Sequence, residues 1–247
     1  MRRVIPALLR SRTDPDAERV IGAILPTGAR AEVVDRLVYD LKVAGVWSKM
    51  QGLYALAGHN AAAARTNWIT PGTGNLTEVN SPTFTTDRGY TGNGSTSYLL
   101  GATLGSPYTQ NSANVGVWVL TNSQSGADAG TTTSNRFRLY SRNGADASVF
   151  RVNGTSLTVS SVTDSTGYRV GVRRSATAVE SYLNGASIGT DSIASEAVSA
   201  PFTILRDDTS YSAHQIALAH VGAALSTTET LAAYTAFNTY LSAVGAV

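Results

Sequence analysis

The sequence predicts a mainly β, antiparallel sandwich with a helical segment before it and a single helix after it. Three observations carry that expectation. After about residue 68, short runs of alternating apolar residues recur; Asn-Gly pairs and glycine-rich stretches separate those runs; and apolar residues at helical spacing are confined to the two ends of the chain. At 247 residues the chain is long enough to bury a core of its own.

Residues 1–30 combine arginines and acids with Pro6, Pro15 and Pro26, and they sustain no apolar period. They read as an N-terminal arm, either flexible or ordered against a partner. Arg10 and Arg12 interrupt the apolar patch of MRRVIPALLRSR too early for the apolar core of a signal peptide. Residues 31–67 read as a helical docking segment. Val34, Leu37, Val38 and Leu41 share one helical face, and Gly45 is placed to cap it. VWSKMQGLYALAG then reads as a second helix whose face is built from Trp47, Met50, Leu53, Tyr54 and Leu56, with Gly52 weakening its middle. Leu37, Leu41, Trp47, Leu53 and Tyr54 are the expected docking or packing residues of this segment.

Residues 68–247 read as the sandwich. Val115, Val117 and Val119 alternate in one run, Phe137 and Leu139 in a second, and Phe150 and Val152 in a third. The segments SLTVSSV, YRVGV, AVESYL and FTILR add further strands. Asn143-Gly144, Asn153-Gly154 and Asn184-Gly185 are each expected to form two-residue hairpin turns, so successive strands run antiparallel. Ser226-Thr-Thr-Glu229 has the spacing of a capping box. Leu231, Tyr234, Phe237, Leu241 and Val244 then form the expected apolar face of a C-terminal helix.

Composition removes several classes of function. There is no cysteine, hence no disulfide framework, thiol nucleophile or cysteine zinc site. The net charge is only +2 and is spread along the chain, which gives no electrostatic case for nucleic acid. No window approaches the roughly 18 apolar residues of a membrane span, so membrane insertion is not expected. The 26 serines and 30 threonines supply the polar half of the alternating strands.

The order of elements resembles a known family. DRGYTGNGSTSYL precedes the tryptophan-bearing run VGVWVLT; GYRVGVRRSATAVESYLNGASIG, FTILRDD and IALAHVGAALSTTETLAAYTAF follow. This series resembles the laminin G-like, concanavalin A-like jelly-roll domains over roughly residues 80–240, with Tyr182, Asn184 and Gly185 matching a Y-x-N-G hairpin. Leu225, Ser226 and Glu229 match the L-S-x-x-E helix start. With its helical leader, the whole is similar to structural proteins of phages and prophages. That resemblance implies a virion component, assembled in the host cytoplasm, as a tail-tip, tail-fibre, receptor-binding or capsid-decorating protein. Its implied partners are other virion proteins, further copies of itself and a host surface glycan.

Enzymatic chemistry is not expected. A hydrolase of this fold would need paired carboxylates on one strand face, whereas Glu180 stands alone and Asp207 and Asp208 are adjacent, as turn formers are. No G-x-S-x-G elbow frames a serine, and His59, His214 and His220 read as packed or surface residues. No cofactor is expected. Asp207, Asp208 and Thr209 offer hard oxygen ligands to Ca2+, but nothing in the sequence fixes the remaining ligands. Gly89, Gly92 and Gly94 read as a hairpin or bulge, because a phosphate loop would need a following lysine. Seven arginines of the sandwich, Arg136, Arg138, Arg142, Arg151, Arg169, Arg173 and Arg174, read as a solvated face or a subunit interface. The principal alternative to a virion role is a lectin-like carbohydrate-binding module, for which Tyr108, Asn111, Asp208 and Tyr211 are the candidate contacts; a glycoside hydrolase of the same fold comes third.

Overall fold

The computed structural model describes residues 13–247, so the first twelve residues of the expected arm lie outside the described residues. The rest of that arm is helical, contrary to expectation. Helix α1 spans Pro15–Ile24, capped by the Asp14 side chain, and Ala17, Val20 and Ile24 supply a buried face. Helix α2 spans Arg30–Val43 and buries Val34, Leu37, Val38 and Leu41, as their spacing predicts. Lys42 ties the two together through Asp14 at 2.9 Å and Asp16 at 2.7 Å. Gly45, at φ +73°, turns the chain out of α2.

The expected second helix is a strand. Trp47–Lys49 makes one 3-10 turn, and β1 (Met50–Tyr54) then pairs antiparallel with β15 (Gln215–Gly222). A bulge between Met50 and Gly52 explains the misleading period. It puts Met50 and Leu53, three residues apart, in one core with Trp47, while Tyr54 and Leu56 enter the other.

Two antiparallel sheets pack face to face as a jelly-roll sandwich. A one-turn helix, α3 (Ala61–Ala64), leads into them. The first sheet contains β3 (Thr83–Thr85), β4 (Gly89–Thr91), β6 (Ala113–Val119), β11 (Gly167–Arg173), β12 (Ala178–Leu183) and β13 (Ala186–Ser192). Its order is β13-β12-β11-β6-β15-β4-β3, with β1 beside β15. The second sheet contains β2 (Thr77–Val79), β5 (Tyr98–Thr103), β7 (Ala129–Thr131), β8 (Phe137–Tyr140), β9 (Ser148–Val152), β10 (Leu157–Val159) and β14 (Pro201–Ile204). Its order is β10-β9-β8-β7-β14-β5-β2.

Two cores follow from this layering. Val115, Val117 and Val119 of β6 meet Phe137, Leu139, Phe150 and Val152 of the second sheet in the inter-sheet core. The opposite face of the first sheet, with Trp118, Tyr168, Val170 and Tyr182, is covered by α1, α2 and helix α4 (Thr227–Ala243). Leu37, Leu41, Trp47 and Leu53 therefore pack within the chain, and Tyr54 packs between the sheets. Both faces of β6 are buried for the same reason.

The capping box at Ser226 and Glu229 forms as the sequence predicts. The apolar face of α4 is rotated from the expected one: Phe237 and Leu241 are buried together with Ala233, Ala236 and Tyr240, whereas Leu231 is exposed. Of the three Asn-Gly pairs, only Asn184-Gly185 (φ +50° and +80°) closes a two-residue hairpin, between β12 and β13. Asn143-Gly144 and Asn153-Gly154 lie in longer connections, because β9 starts at Ser148 and β10 at Leu157.

Two of the seven arginines are also corrected. Arg169 and Arg173 lie on the side of β11 that faces into the sandwich, and both are buried. Backbone carbonyls accept from them: Asp164 and Ser165 from Arg169, and Val152, Ser175, Ala176 and Ile193 from Arg173 Nε and Nη1, leaving the Arg173 Nη2 without a partner.

Candidate ligand-binding face

Among the described residues, helices cover only one side of this sandwich. The outer face of the second sheet carries a continuous cross-strand row, fixed by register as Arg151, Arg138, Gly130, Thr203, Leu100 and Thr77. The alternation within β8 that buries Phe137 and Leu139 turns Arg138 and Tyr140 onto this face.

At Gly130 and Thr203 the row is low enough for a loop to lie across it. A Cβ added at Gly130 would come within 2.7 Å of the Asp207 Cβ, so only glycine allows this approach. The Thr203 hydroxyl donates to the Arg206 carbonyl at 2.7 Å. The loop is closed by an antiparallel bridge between Arg206 and Tyr211, and Asp207 is its knot. Asp207 Oδ1 accepts the backbone N–H groups of Thr209 (2.9 Å) and Ser210 (2.7 Å). Its Oδ2 accepts from the Tyr140 hydroxyl (2.8 Å) and Arg138 Nη1 (3.0 Å). Burial, with the Asp207 charge beside it, pushes the Tyr140 phenol up to about 12, so it remains a donor.

Aromatic and charged groups thus converge on one patch. The Arg206 guanidinium lies over the rings of both Tyr98 (4.6 Å) and Tyr211 (5.1 Å), and Arg138 lies over Tyr140 (5.3 Å). Asp208 Oδ1 has no hydrogen-bond partner, and Arg138 Nη1 stands 3.9 Å from it.

The loop is rooted in a buried charged pair. Leu205, at φ +70°, donates its N–H to the Asp128 carbonyl, and its own carbonyl accepts from Ser212 N. Asp128 Oδ1 lies 2.7 Å from His214 Nδ1 and also accepts from the Ser212 hydroxyl at 2.7 Å. His214 Nε2 faces the Ser123 carbonyl at 2.9 Å, so both ring nitrogens face acceptors and the imidazole is protonated. Burial works against that charge, but the Asp128 carboxylate outweighs it and holds the His214 pKa above the ordinary histidine value. Burial likewise works to raise Asp128, and the His214 charge wins, holding it below the usual carboxylate range. Serine, histidine and aspartate are thus adjacent without forming a nucleophilic relay. The serine hydroxyl donates to the carboxylate, and no imidazole nitrogen is free to take its proton.

Of the four sequence-predicted contacts, Asp208 and Tyr211 belong to this patch. Tyr108 does not: it is buried, packs edge-on against Phe137 at 5.6 Å and donates its hydroxyl to Asn153. Asn111 is exposed elsewhere, accepting from the Ser195 hydroxyl at 2.6 Å. Tyr98, Arg138, Tyr140, Arg151 and Arg206 were not singled out as ligand contacts. The alternation of β8 already turned Arg138 outward, but nothing local announced that a distant loop would land beside it. Both oxygens of Asp207 are engaged by the protein, and no cluster of three acidic or histidine side chains that could hold a metal occurs among the described residues.

No family model and no curated protein matches the chain. Solved structures do. The ligand-binding domain of botulinum neurotoxin serotype D, in complex with N-acetylneuraminic acid, superposes with a TM-score of 0.56 at 14% identity, over 79% of this chain and 52% of that one. A structure reporting that cell entry of botulinum neurotoxin type C depends on interaction with two ganglioside molecules gives 0.52 at 9% identity, over 78% and 52%. Domain 4 of AbnA, a GH43 extracellular arabinanase from Geobacillus stearothermophilus in complex with arabinotriose, gives 0.48 at 12%, over 74% and 97%. The chain spans about half the length of the toxin domains it matches. At these identities the likeness is one of fold.

Proposed function

We propose that the chain is a carbohydrate-binding module whose open sheet face holds a sugar around Tyr98, Arg138, Arg206, Asp208 and Tyr211. The observation that carries this reading is the convergence of three tyrosines, three arginines and the partly exposed Asp208 carboxylate on the one sheet face that, among the described residues, no helix covers. Sugar sites combine an aromatic surface for the apolar side of the ring with charged and amide groups for its hydroxyls. The toxin domains of similar fold, one of them solved with N-acetylneuraminic acid, support the same class of ligand. We read the face as binding without turnover. Glycoside hydrolysis needs two available carboxyl groups, and Asp207 is saturated by its own loop and by β8.

A glycan array followed by titration tests this. The full chain retains a defined glycan, and Tyr98→Ala weakens it several-fold to about tenfold, the scale of one lost aromatic contact. A chain that retains no glycan, or a Tyr98→Ala variant that binds as well as the parent, overturns the reading.

A place on a phage particle is a second reading, in which the same module faces outward and repeated copies add avidity. It draws on an apolar groove of about 180 Å3 between α2 and α4, lined in part by Val33, Leu37, Ala236 and Tyr240. Mass spectrometry of purified particles decides it: the chain is present among the virion proteins, or this reading ends.

A further inference from the structure

We propose that the recognised saccharide is acidic, and that its carboxylate or sulfate sits over the cross-strand pair Arg138 and Arg151. This rests on the carbohydrate reading above and adds the charge class of the ligand.

Register sets these two arginines directly opposite each other on the open face. Opposed residues on neighbouring strands have Cα atoms about 4.5–5.5 Å apart, a spacing at which like charges destabilise a sheet. Arg136 lies two residues along the same strand face and is paired with Glu196 at 2.9 Å. Only one member of the opposed pair has a carboxylate of its own. Arg138 holds Asp207 at 3.0 Å, whereas Arg151 donates to the Ser156 hydroxyl (2.7 Å) and the Asn135 carbonyl (2.8 Å), both neutral. The Nη2 group of neither arginine has a hydrogen-bond partner among the described residues. Burial, together with the positive charges of Arg138 and Arg136, lowers the pKa of Arg151. A sheet face that sets two partly buried arginines opposite each other, each with its Nη2 group unused, is built to receive an anion that bridges them. The Nη2 N–H groups of the two would each donate a charge-assisted hydrogen bond to a carboxylate or sulfate.

The acids beside the pair narrow the class. Asp207 is buried and held by Arg138, and the partly exposed Asp208 lies at the rim, its Oδ1 3.9 Å from Arg138 Nη1. A polyphosphate backbone passing over the arginines would meet these carboxylates, and the chain as a whole carries only +2. A single anionic group on a ligand rich in hydroxyls satisfies both: the charge goes to the arginines and a hydroxyl to Asp208.

Calorimetric titration of the full chain at low ionic strength tests the inference with four probes: 3′-sialyllactose, its neutral methyl ester, lactose, and a sulfated chondroitin disaccharide. At least one acidic probe binds at least about tenfold more tightly than its neutral counterpart, the scale of a charge-assisted contact. Arg151→Gln removes that preference, and Arg151→Lys restores part of it. Should Arg151→Gln fail to fold by circular dichroism, the methyl ester on the native chain reads the same charge term. Equal binding of neutral and acidic probes overturns the acidic class and leaves the carbohydrate reading standing. Failure of every saccharide, here and on the array, overturns both. Tight binding of oligo(dT) with a steep salt dependence also overturns the inference, in favour of phosphate recognition.

Discussion

Two buried histidines show how partners, and not burial alone, set protonation. His214 lies between a carboxylate and a carbonyl and is held charged. His220 is buried to the same degree, but its Nδ1 faces the Asn114 amide oxygen at 2.8 Å and its Nε2 the Tyr168 hydroxyl at 2.5 Å. With no carboxylate at hand, burial drives its pKa down to about 3, and it stays neutral when folded. The unfolded chain takes up a proton at this position below about pH 6.5, and the folded chain does not. Stability therefore falls with pH between about 6.5 and 3, by up to about 1.4 kcal/mol per unit from this residue. The Asp128 contribution is lost only as pH falls below the usual carboxylate range. The His214 contribution is lost only as pH rises through its raised pKa, so between pH 7.0 and 5.5 neither opposes or imitates the His220 slope. Urea unfolding at pH 7.0 and 5.5 measures the slope, and His220→Gln flattens it; an unchanged slope in that variant assigns the acid sensitivity elsewhere. Nothing in the sequence around His214 or His220 separates them, because the deciding partners come from residues 52 to 106 positions away.

At the scale of elements, strands with one regular face and helices with local caps were legible, and irregular elements were not. Val115, Val117 and Val119, or Phe137 and Leu139, declare themselves by period two because a strand's side chains alternate. The capping box needs only Ser226 and Glu229, three residues apart; Ser226→Ala costs about 1 kcal/mol, read as a lower urea midpoint with an unchanged slope. β1 defeated the same logic. Its bulge imitates helical spacing, and its two faces serve two different cores. The misplaced face of α4 has a related cause. Tyr240 meets Trp68, in the connection after α3, edge-on at 5.5 Å, so a contact with a segment remote in sequence draws Tyr240 inward while Tyr234 keeps its expected place, stacked on Trp118 at 5.7 Å.

For the whole molecule, the layers separate stability from binding. Among the described residues, three helices cover one sheet and leave the other sheet's outer face open, so substitutions on opposite sides are expected to have separable effects. Phe237, fully buried between α4 and the first sheet, contributes only to folding. Phe237→Ala costs about 3–5 kcal/mol in urea unfolding. In the still-folded fraction at low temperature, its glycan affinity stays within about twofold of the parent chain, since no contact of Phe237 reaches the open face. A parallel loss of affinity would mean that the helical layer shapes the binding face.

By itself the sequence determined the class of fold, the antiparallel order of most strands, the first long helix, the cap of the last helix and the outward turn of Arg138. All of these follow from spacings within a few residues. It also excluded thiol chemistry, since there is no cysteine. Only the tertiary structure decided that the leader helices pack on the chain's own sheet, that Tyr108 lies in the core, and that Arg206, Asp207 and Tyr211 land beside Arg138, Arg151 and Tyr98. The physical reason is range. Period and capping are local properties of the backbone, whereas the candidate site is assembled from strands remote in sequence, by sheet register and by close loop approaches that glycines such as Gly126 and Gly130 permit.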